Sequence, residues 1–113
     1  MAGFVKGDVV VLPFPFSDLS QNKRRPALVV AEAGGDEVLL CQITSQAVRD
    51  RYAVALNVAD FQSGSLNRTS NVRPNRLFTA DIAIILYRAG HLNREKTSTV
   101  VEQIVALLRS ENG

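Results

Sequence analysis

Proline and glycine cut this chain into short apolar runs rich in β-branched residues, and only one stretch, near the C-terminus, carries a helical repeat. GDVVVLPF reads as a strand starting at Asp8, with Val9, Val10 and Val11 favouring extended backbone and Pro13 and Pro15 stopping it. A long, largely polar loop over residues 13–25 follows, and Pro26 opens PALVVAE, an almost unbroken apolar strand. Gly34-Gly35-Asp36 turns that strand back into EVLLCQIT, an antiparallel hairpin at the centre of a sheet. YAVALNV (52–58) alternates as a strand, and SGSLNRTS is a turn or a short helical turn. Residues 71–78 make a further strand that Pro74 confines to an edge or a bulge, and IAIILYRAG is the last strand. Val100, Val101, Ile104, Val105 and Leu108 then form one apolar stripe on a 3.6-residue repeat, which predicts a helix packed on the sheet. Asn93 would cap a long version of this helix, and Thr99 with Glu102 a shorter one. The whole is a mainly β fold, about six short strands in a small, strongly bent antiparallel barrel with a C-terminal helix.

Length and composition fit a single domain over residues 1–113, since 46% hydrophobic and 21% charged residues exclude a disordered chain. Cys41 stands alone and cannot form an internal disulfide, and the opening MAGFVKGDVV lacks the apolar stretch of a signal peptide. The cytoplasm of a bacterium is the expected compartment. No apolar run, the longest being of the kind seen at 82–87, approaches the roughly 20 residues that span a bilayer.

The net charge of +2 says little, but its distribution says more. Residues 20–25 and 68–76 hold Lys23, Arg24, Arg25, Arg68, Arg73 and Arg76 and no acid. Brought together by folding, these segments would make a cationic patch suited to phosphates. Several other chemistries lack their residues. His91 has no second ligand or nucleophile beside it, Cys41 lies in an apolar strand, and no zinc spacing or G-x-x-x-x-G-K-[ST] loop is present. Neither a metal nor another cofactor is expected. What remains are arginines, hydroxyls and amides, which hold phosphate through charge-assisted hydrogen bonds. Arg25 sits immediately before Pro26 at a strand start, Ser20, Gln21, Asn22 and Lys23 add donors, and Thr44 and Ser45 close the strand that contains Cys41.

GDVVVLPFPFSD, KRRPALVV, LLCQITSQ and SNVRPNRLFTAD, in this order and spacing, resemble the MazF/PemK family of toxins from type II toxin–antitoxin pairs. The resemblance runs from Gly7 through the terminal helix and covers the chain as one MazF/PemK-like toxin domain. It implies an SH3-like bent barrel, usually a homodimer, and a ribosome-independent endoribonuclease, an mRNA interferase, that cuts single-stranded RNA at short sequences and so inhibits translation and growth. It also implies a cognate antitoxin that covers the groove, and DNA binding together with it. Residue by residue, Arg25 matches the family's arginine before proline that acts on the scissile phosphate, and Thr44 matches its catalytic threonine. Ser20 and Gln21 fall in the substrate-contacting loop, and Arg73 matches an arginine that one branch uses in cleavage. That branch places an aspartate base two positions further on, where this chain has Asn75. The histidine that some members carry in the first loop is missing, and Arg76 and Phe78 stand where other branches place a glutamine and an arginine.

RNA carries its own nucleophile, the 2′-hydroxyl, so cleavage needs in-line alignment and charge stabilisation rather than a metal. On this reading the products are a 2′,3′-cyclic phosphate and a 5′-hydroxyl. Arg25 and Arg73 clamp the phosphate and Thr44 donates to it or aligns the nucleophile. Lys23, Arg24, Asn75 and Arg76 bind substrate, while Ser45, Gln46 and Ser70 read base edges; Phe14 and Phe16 read as barrel core, with base stacking as the alternative. Asp18 is the carboxylate to test as base. Two other readings compete: a non-catalytic nucleic-acid-binding barrel, and a gyrase-poison-like protein that grips its target through C-terminal residues.

Overall fold

The computed structural model describes residues 3–14 and 23–110. Seven strands, β1 (Asp8–Phe14), β2 (Lys23–Gly34), β3 (Glu37–Thr44), β4 (Val54–Leu56), β5 (Phe61–Gly64), β6 (Ser70–Asp81) and β7 (Tyr87–Leu92), form one antiparallel sheet, followed by a helix, α1 (Arg94–Arg109). The strand order is β4-β6-β3-β2-β1-β7-β5. Register shifts in β1, β2, β3–β6 and β5–β7 bend the sheet into a half-barrel.

The unbroken apolar run of β2 follows from its central place, because both of its faces are buried. Leu28 and Val30 join Val9, Cys41, Ile43, Val72 and Leu92 in one cluster, onto which α1 packs Val100 and Ile104. Ala27 and Val29 join Val10, Leu12, Val38, Leu40, Ala80 and Ile85 in a second cluster on the other face. Neighbouring residues of β1 and β2 thus feed opposite cores, as a period of two requires.

Several boundaries differ from the sequence reading. β1 runs through Pro13 to Phe14 and β2 begins at Lys23, three residues before Pro26. Pro13 and Pro26 take ladder positions opposite Arg24 and Val11, so neither proline ends its strand. The strand expected over 52–58 is only Val54–Leu56, because a single 3₁₀ turn occupies Val58–Asp60. IAIILYRAG is not one strand. A 3₁₀ turn over Ile82–Ile84, capped by the Asp81 carboxylate accepting from the Ala83 N–H, precedes β7, which continues to Leu92. Residues 61–64 form β5, so Ser63 and Gly64, read from the sequence as the start of a turn, belong to a strand instead. It crosses β7 closely: Gly64 has φ +69°, and a Cβ there would stand 2.1 Å from the Ala89 carbonyl oxygen.

Pro74 does mark a bulge. Cys41 pairs with Leu77 while the next residue, Gln42, pairs with Arg73, so residues 74–76 loop out of the β3–β6 ladder. On its other side β6 is covered only at Ser70–Val72, by β4, so proline's missing N–H breaks no bond there. α1 takes the longer of its two expected forms, with the Asn93 side chain accepting from the Lys96 N–H at 2.8 Å. Its stripe is only partly core, since Val105 is exposed and Leu108 is 71% exposed. No helix among the described residues is long and apolar enough to cross a membrane.

Candidate functional site

The start of β2, the end of β3, the start of β6 and the start of β7 meet at one end of the sheet, because alternate strands run in opposite directions. There they enclose an open groove of about 390 Å³ lined by Arg24, Arg25, Thr44, Ser45, Arg68 and Ser70, with Val11, Ile43, Leu66 and Tyr87 among its apolar walls. The two basic segments of the sequence converge here through Arg24 and Arg25 on one side and Arg68 on the other. No carboxylate lines the groove among the described residues.

Strand register explains how Arg25 and Thr44 come together. Ala27 pairs with Gln42, and continuing that register towards the strand ends sets Arg25 opposite Thr44, which in turn pairs with Asn71. Gln42 pairs with Arg73 on its other side. Arg25, Thr44, Gln42 and Arg73 therefore share one sheet face, the face whose apolar cluster ends at Leu12 and Ala27. Thr44 Oγ1 accepts the Gln46 N–H at 3.2 Å, which leaves the Thr44 hydroxyl proton available to donate. The Gln46 carbonyl accepts from Asn71 Nδ2 at 3.3 Å and ties the segment after β3 back to β6.

Arg73 stands beside the groove rather than in its lining. Its Nη2 is 3.2 Å from Oδ2 of Asp50, and Asn75 Nδ2 donates to the same oxygen at 3.4 Å. Oδ1 of Asp50 accepts the N–H groups of Tyr52 and Ala53 at 2.9 and 3.0 Å. Burial alone would raise the Asp50 pKa, but the Tyr52 N–H, the Arg73 guanidinium and the Ala53 N–H outweigh it and hold the carboxyl below its ordinary range. Among the described residues, the Nε–H groups of Arg25 and of Arg73 are both buried and have no hydrogen-bond partner. An unsatisfied buried donor costs about 1–3 kcal/mol, so two of them on one face call for an acceptor that the described residues do not supply. A phosphate oxygen is such an acceptor.

The other expected residues fall in different places. Ser70 is 4% exposed and its hydroxyl donates to the Arg68 carbonyl at 2.9 Å, so it pins the bend that carries Arg68. Lys23, Ser45, Gln46 and Arg76 are exposed, Lys23 at the mouth of β2 and Arg76 on the β6 bulge. Asp18, Ser20, Gln21 and Phe16, and the side chain of Phe14, lie outside the described residues. No group of three or more His, Cys, Asp or Glu among the described residues is placed to hold a metal ion. Asp50 was not anticipated from the sequence, because it lies in the irregular segment before β4, far in sequence from Arg73. Its position two and three residues ahead of the N–H groups it accepts marks an Asx turn, a readable signal, but not one that names its partner.

A small half-barrel of seven antiparallel strands, closed by a terminal helix and carrying a cationic groove at one sheet end, is the class of protein defined so far. Residues 5–108 match the profile of the PemK-like, MazF-like toxin of type II toxin–antitoxin systems. The chain belongs to this toxin family. Among solved structures, MazF from Deinococcus radiodurans superposes with a TM-score of 0.76 at 21% identity, covering 97% of this chain and 100% of that one. A MazE–MazF structure from the same organism gives 0.75 at 19% identity, covering 95% and 97%. An endoribonuclease from a mycobacterial species, solved in complex with its cognate antitoxin, gives 0.74 at 14% identity, covering 93% and 94%. Comparison with curated proteins gave no match.

Proposed function

We propose that this protein is the endoribonuclease toxin of a toxin–antitoxin pair, cutting single-stranded RNA without a metal. The observation that carries the reading is the buried, unpartnered Nε–H of Arg25 on a cationic groove that also holds Thr44. In the reaction, the 2′-oxygen of one nucleotide attacks the adjacent phosphorus as its proton leaves. The bond to the 5′-oxygen breaks, and that oxygen takes up a proton, giving a 2′,3′-cyclic phosphate and a 5′-hydroxyl. Arg25 donates to the phosphate oxygens on which negative charge grows, Arg73 adds a second guanidinium from the same sheet face, and the Thr44 hydroxyl donates to the same phosphate. Arg24, Lys23, Arg68 and Arg76 hold flanking phosphates, and Ser45, Gln46 and Asn75 meet the unstacked bases.

The same reading includes a homodimer, for which the exposed Ile84, Leu86 and Tyr87 offer an apolar face, and a small antitoxin as partner. The mycobacterial relative solved with its cognate antitoxin supports the latter. Purified protein incubated in EDTA with a long single-stranded RNA and with its all-DNA counterpart tests the proposal. Cutting of the RNA and not of the DNA is expected. Retention of RNA without cutting would assign a binding protein instead, and neither cutting nor retention would leave no role for the groove in nucleic-acid chemistry.

A further inference from the structure

Asp50 meets Arg73 from a segment that the reaction just described does not use. Among the described residues it accepts four hydrogen bonds: Tyr52 and Ala53 N–H on Oδ1, Arg73 Nη2 and Asn75 Nδ2 on Oδ2. With its acceptor sites filled and its pKa lowered, it is poorly suited to take a proton from a nucleophile. It is well suited to hold a guanidinium still. The Arg73 side chain is 23% exposed and reaches the ion pair at 3.2 Å, which occupies one end of its fork and leaves Nε–H buried and unpartnered.

We infer that Asp50 is a positioning residue: it anchors Arg73 on the Arg25–Thr44 face so that the free Nε–H meets a phosphate oxygen of the bound RNA. This rests on the endoribonuclease reading above. Asn75 joins the same anchor, since its amide donates to the carboxylate that holds Arg73. Arg73 and Asn75 are two residues apart in β6, a spacing that sets both on one side of an extended strand, and both reach the same Oδ2.

Asp50→Asn tests this while keeping an oxygen for the Tyr52 and Ala53 N–H groups, so the turn survives while the ion pair is lost. With wild type, Arg73→Ala and the double variant, three readouts are taken: steady-state cleavage, affinity for an oligoribonucleotide pool methylated at every 2′-oxygen, and the Arg Nε–H signals of ¹⁵N-labelled protein. Asp50→Asn is expected to lower kcat by roughly ten- to a hundredfold with KM within about twofold, since a misplaced clamp is felt in the transition state. The double variant should be no slower than Arg73→Ala alone. Full kcat in Asp50→Asn, or an added loss in the double variant, overturns the inference. If wild type itself does not cut, the functional reading fails and Asp50 is judged on the other two readouts. Loss of the protected Arg73 Nε–H signal, with binding no weaker than that of Arg73→Ala, supports the anchor, and an unchanged signal or binding weaker than that of Arg73→Ala overturns it.

Discussion

The buried carboxylate of Asp8 accepts from Nδ1 of His91 at 2.8 Å, a bond that joins the start of β1 to the end of β7. Asp8 also accepts the Val5 N–H at 2.9 Å and Arg88 Nη1 at 3.3 Å, so one 1%-exposed side chain, absent from the groove lining, ties the start of β1 and the residues before it to β7. This is where the chain's single histidine is used, as a structural partner. Asp8→Asn turns an amide N–H towards donors and should lower stability by about 1–3 kcal/mol. Cleavage per folded molecule should stay unchanged. Urea denaturation checks the first point, and an unshifted midpoint would contradict it.

How far this architecture was legible depended on whether neighbouring residues alone decide each element. Val9 to Val11, the hairpin turn at Gly34-Gly35 and the Asn93 cap carry their own signals, and the structure follows them. Ile82 to Leu86 has a strand's composition but not its outcome, because the Ile82 N–H is drawn to the Asp36 carbonyl at 2.8 Å and the Asp81 side chain caps the turn. Leu108 satisfies the helical repeat yet stays 71% exposed, with no buried cluster of the described residues including it. For the site, Arg25 and Thr44 stood out as polar residues at strand ends, whereas the carboxylate beside Arg73 comes from Asp50, 23 residues away in the chain and brought near only by the tertiary fold.

Thr44 offers a clean separation of hydroxyl from shape. Its Oγ1 accepts from Gln46 N–H and has its own proton left to give. Thr44→Val keeps the branched outline and should slow cleavage on the order of 10²–10³-fold, while Thr44→Ser keeps most activity. Wild-type rates in Thr44→Val would remove the hydroxyl from the reaction.

Acid stability reports on Asp50. Its pKa is lowered in the fold, so its contribution is complete above the unfolded carboxylate value of about 3.9 and is lost as pH falls through the lower folded value. The stability gap between wild type and Asp50→Asn should therefore narrow from about pH 7 to about pH 2.5. Denaturant titrations at both values measure it, and a gap that widens on acidification contradicts the assignment.

Cys41 lies fully buried in β3, and desolvation pushes its thiol up to about 12. Near neutral pH almost no thiolate forms, so a thiol reagent should leave the native protein unlabelled and react fully in denaturant. Rapid labelling of the folded protein would show that this core opens.

Most direct of all is the behaviour of Arg25→Ala beside wild type, both shown to be folded, on single-stranded RNA in EDTA with the product ends identified. Wild type should leave 2′,3′-cyclic phosphate and 5′-hydroxyl ends, and Arg25→Ala should cut slower on the order of 10²–10³-fold. A folded Arg25→Ala protein that cuts at the wild-type rate, or wild-type fragments with other ends, would contradict the assignment of this groove.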